Sequence, residues 1–188
     1  MYANQKVDHL IGHNSPSLAE EINHIQPTLL NPLFNWQGEK LDSYRSEVDS
    51  FLKSQEFPGW FKSPRDYLSL IGDELVTNAF GDNDSIVHVS LSINEQSICI
   101  EVKDNQGKLT KEQTLKAFKR ASDTQSPKED GRGAGLGLYL VYQSTNQIWI
   151  NVEKNKSTTI KCVLEATKRY KNFKGRVTSF HFSSEEIS

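Results

Sequence analysis

Hydrophobic and polar positions along this chain of 188 residues repeat with two different periods. From Asp42 to Ser54 the apolar Val48, Phe51 and Leu52 fall on one side of a helical wheel, which predicts an amphipathic helix. Phe57-Pro58-Gly59-Trp60 breaks it. A second helical pattern starts at Ser63-Pro64-Arg65-Asp66 and runs to about Phe80, with Leu68, Ile71, Leu75 and Ala79 as its apolar stripe. Ser63 is placed as the N-cap, Pro64 as the first helical residue, and Asp66 completes a pattern like a capping box. After the turn Gly81-Asp82-Asn83-Asp84 the period drops to two. Ile86 to Ile93 and Ser97 to Lys103, joined by Asn94-Glu95-Gln96, predict a β-hairpin. Residues 111–121 read as a short amphipathic helix, and Ser122 to Arg132 as a polar loop. An apolar run, Leu138-Tyr139-Leu140-Val141-Tyr142, reads as helix. Ile148 to Glu153 and Thr158 to Glu165 then form a second hairpin around Lys154-Asn155-Lys156-Ser157, and Val177 to Phe182 reads as an edge strand.

Adjacent strands joined by short turns predict a mixed, largely antiparallel sheet with helices on one face. The fold class is α+β, a two-layer α/β sandwich. Residues 1–30 are polar and irregular, with Pro16 and Pro27, and read as an N-terminal arm or extension. Residues 31–188 read as one domain that includes a basic C-terminal tail, carrying Lys168, Arg169, Lys171, Lys174 and Arg176. No internal repeat is visible.

Composition narrows the function. The formal charge of −2 gives no basic excess, so nucleic acid is not the expected partner. The two cysteines, Cys99 and Cys162, each fall inside a predicted strand. They read as buried small hydrophobes rather than a disulfide or metal pair. No stretch reaches the roughly 18 apolar residues of a membrane span, and no charged-then-apolar leader opens the chain. The expectation is a cytoplasmic protein with no membrane partner.

Chemistry is concentrated in three places. The first is Gly131-Arg132-Gly133-Ala134-Gly135-Leu136-Gly137-Leu138, with glycine at alternate positions leading into a helix. Glycine lets another group approach the backbone closely, and a helix N-terminus presents unpaired N–H groups at the positive end of the macrodipole. Together these suit a phosphate, although a hinge before a helix would look the same. The second is Glu74 and Asn78, four apart and therefore on one helix face. A carboxamide oxygen can ligate Mg²⁺ and a carboxylate can take a hydroxyl proton, yet a solvated helix face has the same appearance. The third is Asp104, followed by Asn105-Gln106-Gly107. It can accept from an exocyclic amino group or simply make an Asx turn.

In order, Glu74-Leu-Val-Thr-Asn78-Ala79, Val102-Lys-Asp104-Asn-Gln-Gly107 and Gly131 to Leu138 resemble the N, G1 and G2 boxes of the GHKL ATPase superfamily. That superfamily includes gyrase, a heat-shock chaperone ATPase and histidine kinases, and the resemblance covers roughly residues 40–166. It implies the Bergerat-type ATP-binding fold, with ATP and Mg²⁺ as ligands. It makes Glu74 the general base, Asn78 the magnesium ligand and Asp104 the adenine-reading carboxylate. Gly107, Gly133, Gly135, Leu136 and Gly137 become nucleotide-binding loop residues, and Thr158 resembles the threonine that helps hold adenine through water. Residues 108–130 become the ATP lid, with Arg120 and Arg132 as cations for the γ-phosphate. The pattern departs in the G1 box. The family's glycines fall two and four residues after the aspartate, where this chain has Gln106 and Lys108, and Gly107 stands between. Ser157 replaces the glycine that commonly precedes the threonine.

Within the superfamily, no heptad-patterned helix follows His9, His13 or His24, as a phospho-accepting histidine would require. The layout resembles the small anti-sigma-factor serine/threonine kinases, which phosphorylate a small antagonist protein and sequester a sigma factor. That resemblance implies a protein partner and leaves a homodimer open. Two other readings stay open beside it: an ATP-gated protein-binding module with little turnover, and a stand-alone histidine kinase catalytic domain. The basic tail reads as a solvated linker or as a docking surface for an acidic partner.

Overall fold

The computed structural model describes residues 6–10, 32–59, 61, 63–81, 85–119, 137–165 and 178–185. In chain order they form β1 (Lys6–Leu10), β2 (Phe34–Gly38), α1 (Leu41–Ser54), α2 (Pro64–Phe80), β3 (Val87–Ile93) and β4 (Ser97–Asp104). These are followed by α3 (Lys111–Lys119), α4 (Gly137–Ser144), β5 (Gln147–Glu153), β6 (Ser157–Glu165) and β7 (Ser179–Glu185). The strands make one sheet of seven in the order β1-β7-β5-β6-β4-β3-β2. Every neighbouring pair is antiparallel except β5 and β7. The predicted α+β sandwich, with its mostly antiparallel open sheet, is the fold observed.

Strand alternation sets the layers. Ile98, Ile100 and Val102 of β4 stand in register with Leu164, Cys162 and Ile160 of β6. Ile148 and Ile150 of β5 continue the rows to Phe180 and Phe182 of β7. These side chains share a core with Tyr44, Val48 and Leu52 of α1, Leu68, Ile71, Leu75 and Val76 of α2, and Val141 of α4. The helices thus cover one face, because each buries an apolar stripe that only the sheet can take. On the other face Trp149 stacks on His181 at 3.7 Å between ring centroids, and Lys161 pairs with Glu101 at 3.0 Å. Both cysteines are free and buried. Burial pushes the Cys99 thiol up to about 11 and that of Cys162 higher still, so neither is a thiolate at neutral pH.

Three details differ from the sequence reading. Residues 6–10, read as part of a polar arm, pair with β7 as β1, so β7 is not the edge strand. Residues 34–38 form β2 at the opposite edge. Ser63 stands at the N-cap position of α2, as expected, but without the side-chain bond of a capping box. It lies in the left-handed region at φ 52, while Pro64 does occupy the start of the helix. Instead Arg65 turns back on α1, its Nε donating to Leu52 O at 2.9 Å and its Nη2 to Lys53 O at 3.3 Å. The guanidinium thereby satisfies carbonyls at the C-terminus of α1, which lack partners within the helix.

Candidate functional site

Glu74 and Asn78 both lie on α2, beside the stripe that docks on the sheet. Leu75 and Val76 are buried, Glu74 is partly buried and Asn78 is exposed. The buried stripe fixes the rotation of the helix, and the helical period then leaves both polar side chains along its rim. α4 packs beside α2, and its first residue meets Glu74 directly. A Cβ built on Gly137 would sit 2.9 Å from Glu74 Cδ and nearer still to Oε2. A side chain at this position would have to displace the end of Glu74, so the glycine lets the carboxylate lie against the mouth of this helix. Burial raises the Glu74 pKa above the ordinary glutamate range, and the neighbouring Asp73 charge adds to the shift. Asp73 is itself gripped from α1, with Arg45 Nε donating to Oδ1 at 2.5 Å and Nη2 to Oδ2 at 2.9 Å.

One residue before that pair, Tyr44 is fully buried, and its hydroxyl has no hydrogen-bond partner among the described residues. It lies against Gly72, where a Cβ would come within 3.2 Å of Tyr44 Cζ and closer to the hydroxyl. Burial, and then Asp73, push this phenol far above its usual range, so it stays neutral.

At the end of β4, Asp104 Oδ1 accepts from three backbone N–H groups. They are Gln106 at 2.7 Å, Gly107 at 3.3 Å and Thr158 on β6 at 3.2 Å. Thr158 stands opposite Asp104 in the strand register and is buried. Gly107 has φ 61 and presses on the β5–β6 turn, where a Cβ would lie 2.7 Å from Lys156 N and 2.8 Å from Asn155 N. Its carbonyl accepts the Asn155 N–H at 3.2 Å. Asp104, Gly107 and Thr158 therefore form one rigid corner, with Oδ2 of the carboxylate left out of those three bonds.

Two further contacts join this corner to α2. Ser85 Oγ donates to Ala79 O at 2.7 Å, and the Ile86 N–H donates to Asn105 Oδ1 at 3.3 Å. Sequence reasoning missed Ser85, Asn105, Asp73 and Arg45. All four act across turns or between helices, where local periodicity carries no signal. Of the residues expected from the sequence, Glu74, Asn78, Asp104, Gly107, Gly137 and Thr158 are described. Arg120, Arg132, Gly133, Gly135 and Leu136 lie outside the described residues, as does the basic tail. A surface cleft at the α1–α2 connection, lined among others by Gln55, Phe57, Pro64 and Asp66, shares no residue with this site.

Residues 64–168, just over half of the chain, match the family described as Histidine kinase-, DNA gyrase B-, and HSP90-like ATPase. The chain belongs to this GHKL ATPase family. The matched span opens with α2 and closes just past β6, so it takes in every described residue that the sequence placed in the site. β1, β2, α1 and β7 of this GHKL protein lie outside it. A search of curated proteins finds no match. ATP binding is the property that the family supports, and the residues present suit it: a fixed acceptor at Asp104, an exposed amide at Asn78, and glycines where a Cβ would clash. Among the described residues no three His, Cys, Asp or Glu side chains are grouped to hold a metal by themselves. No described helix is long and apolar enough to cross a membrane.

Proposed function

We propose that this GHKL protein binds ATP with Mg²⁺ and phosphorylates a serine or threonine on a small partner protein, in the manner of the anti-sigma-factor kinases. The observation that carries this reading is the seating of Glu74. Its carboxylate lies against the first residue of α4, at the end of the glycine run, with its pKa raised by burial. A carboxylate that holds a proton more readily than usual is suited to act as a base near neutral pH.

In this reading Asp104 and Thr158 orient adenine. Asn78 would give its amide oxygen to Mg²⁺, an ion that takes oxygen ligands. When bound, Mg²⁺ neutralises charge on the phosphates. Glu74 takes the proton of the partner hydroxyl as that oxygen bonds to the γ-phosphorus. The bond from the γ-phosphorus to the bridging oxygen breaks, and ADP leaves with the electron pair. N–H groups of the glycine run and of the α4 N-terminus stabilise the charge that develops. A cytoplasmic location, a sigma-factor or antagonist partner and the roles of Arg120, Arg132, Gly133, Gly135 and Leu136 belong to the same proposal.

The test is capture of partners from native cytoplasm with and without ATP, followed by labelled-phosphate transfer onto the captured protein. Phosphoserine or phosphothreonine should appear with the wild-type chain and vanish with Glu74→Ala, while calorimetry shows ATP binding intact in that variant. Asn78→Ala should remove the magnesium dependence of binding. Transfer at the wild-type rate by Glu74→Ala defeats the base assignment. Capture that depends on ATP but yields no phosphate transfer points instead to an ATP-gated binding module, a reading that the displaced glycine of the G1 box favours.

A further inference from the structure

We propose that Ser85 and Asn105 are positioning residues that fix the spacing between the two halves of the nucleotide site, and the proposal rests on the assignments of Asn78 and Asp104 given above. Asn78 precedes Ala79, whose carbonyl accepts the Ser85 hydroxyl at 2.7 Å. Ser85 precedes Ile86, whose N–H reaches Asn105 Oδ1 at 3.3 Å. Asn105 follows Asp104. The magnesium-directed amide and the base-directed acid are thus joined by two hydrogen bonds and the intervening peptide links. Val87, next in the chain, stands opposite Asp104 in the β3–β4 register and closes the bracket on the sheet.

Each end of the bracket matters for a different reason. The Asp104 corner is immobilised by its three backbone donors, so the acid cannot follow α2 if the helix shifts. The last turn of α2 presents carbonyls that no further helical N–H can satisfy. Thr77 O takes the Gly81 N–H at 3.3 Å, and Ala79 O takes Ser85. Ser85 is 1% exposed and Ala79 partly buried, so the bond is partly shielded from water, and losing it leaves the Ala79 carbonyl short of a partner. A ligand reaching from Asp104 to Asn78 depends on the relative placement of the two ends. A shift of about 1 Å in such a placement is enough to weaken a multi-point contact severely. A role limited to ending the helix would lower stability without separating one ligand from another.

The separation is what the experiment reads. Binding of adenosine, which engages only the Asp104 half, is compared with binding of ATP in magnesium, which spans both, using ligand-observed NMR and calorimetry on the full chain. For Asn105→Ala and Ser85→Ala the adenosine affinity should stay within about twofold of wild type, while the affinity for magnesium–ATP falls about tenfold or more. Asn105→Asp keeps an acceptor oxygen at the same reach. At a salt concentration that screens its added charge, it should recover most of the magnesium–ATP affinity. Asn105 is exposed, so its variants report even if Ser85→Ala does not fold. Parallel loss of both ligands, no loss of either, or an Asn105→Asp variant that behaves like Asn105→Ala each overturns the proposal. A wild-type chain that binds ATP no better with magnesium than without defeats the underlying nucleotide reading. Variants that keep a wild-type magnesium gain defeat the bracket alone.

Discussion

Glu74 shows how much one side chain inherits from its neighbours. Its carboxyl is squeezed between the backbone of Gly137 and the charge of Asp73, while Arg45 holds Asp73 in a two-pronged grip. Burial first and Asp73 second raise its pKa in the folded protein. A raised pKa means that folding favours the protonated form. The associated stability is fully present below the pKa of the unfolded chain and is lost as pH rises through the folded value. Glu74→Gln removes the ionised form and should therefore melt higher than wild type at pH 7.5. The gap should be about 1–2 °C, kept small because the group is partly solvated, and it should close as pH falls toward 4. Scanning calorimetry across that range checks it, and a variant melting below wild type at pH 7.5 would show the sign to be wrong. The sequence displayed Glu74, Asn78 and Asp104 as candidates because two share one helix face and the third ends a strand, and the family resemblance then supplied the roles proposed for them. It did not display Arg45 with Asp73 or Tyr44 with Gly72. Those pairs join α1 to α2 across 28 residues in each case, and only tertiary packing brings them together.

At the scale of elements, α2 is the part on which the site is assembled. Its buried side holds Leu68, Ile71, Leu75 and Val76, and its rim carries Glu74 and Asn78. Leu75 is 1% exposed, so Leu75→Ala should open a cavity and destabilise the protein by about 2–4 kcal/mol in urea unfolding. A loss under about 1 kcal/mol would mean that the helix is seated less tightly than its burial indicates. The two hairpins and the helices were legible because each period runs long enough to count, and because their strand partners are neighbours in sequence. β2 and β1 were not. Phe34-Asn35-Trp36-Gln37-Gly38 alternates correctly but is only five residues long, and it pairs with residues 49 to 57 positions away. Lys6–Leu10 finds its partner at the other end of the chain. The capping-box bond at Ser63 was likewise not formed, and Arg65 instead reaches back to Leu52 and Lys53 of α1, a contact between helices that local sequence does not signal.

For the whole molecule, the sheet order separates two functions. The strands nearest the site, β4 and β6, are central, while β1 and β2 are at the rims. β7 and β5 stand between β1 and β6, so β1 can affect stability without touching the candidate site. Removing residues 1–12 should expose the edge of β7 and lower the melting temperature by a few degrees, on the order of 2–4 °C per kcal/mol lost. The affinity for magnesium–ATP should stay within about twofold. A fall of more than about fivefold would assign the N-terminal strand a part in binding. α4, which runs from the site to the start of β7, is only eight residues long. Gly137 meets Glu74 at one end. At the other, the Thr178 hydroxyl, just before β7, reaches both Tyr142 O at 2.9 Å and Thr145 O at 2.7 Å. A strut clamped at both tips has little slack. A push on β7 is therefore passed along one short helix to the residue that lies against Glu74, so strain applied at that strand is felt at the candidate base.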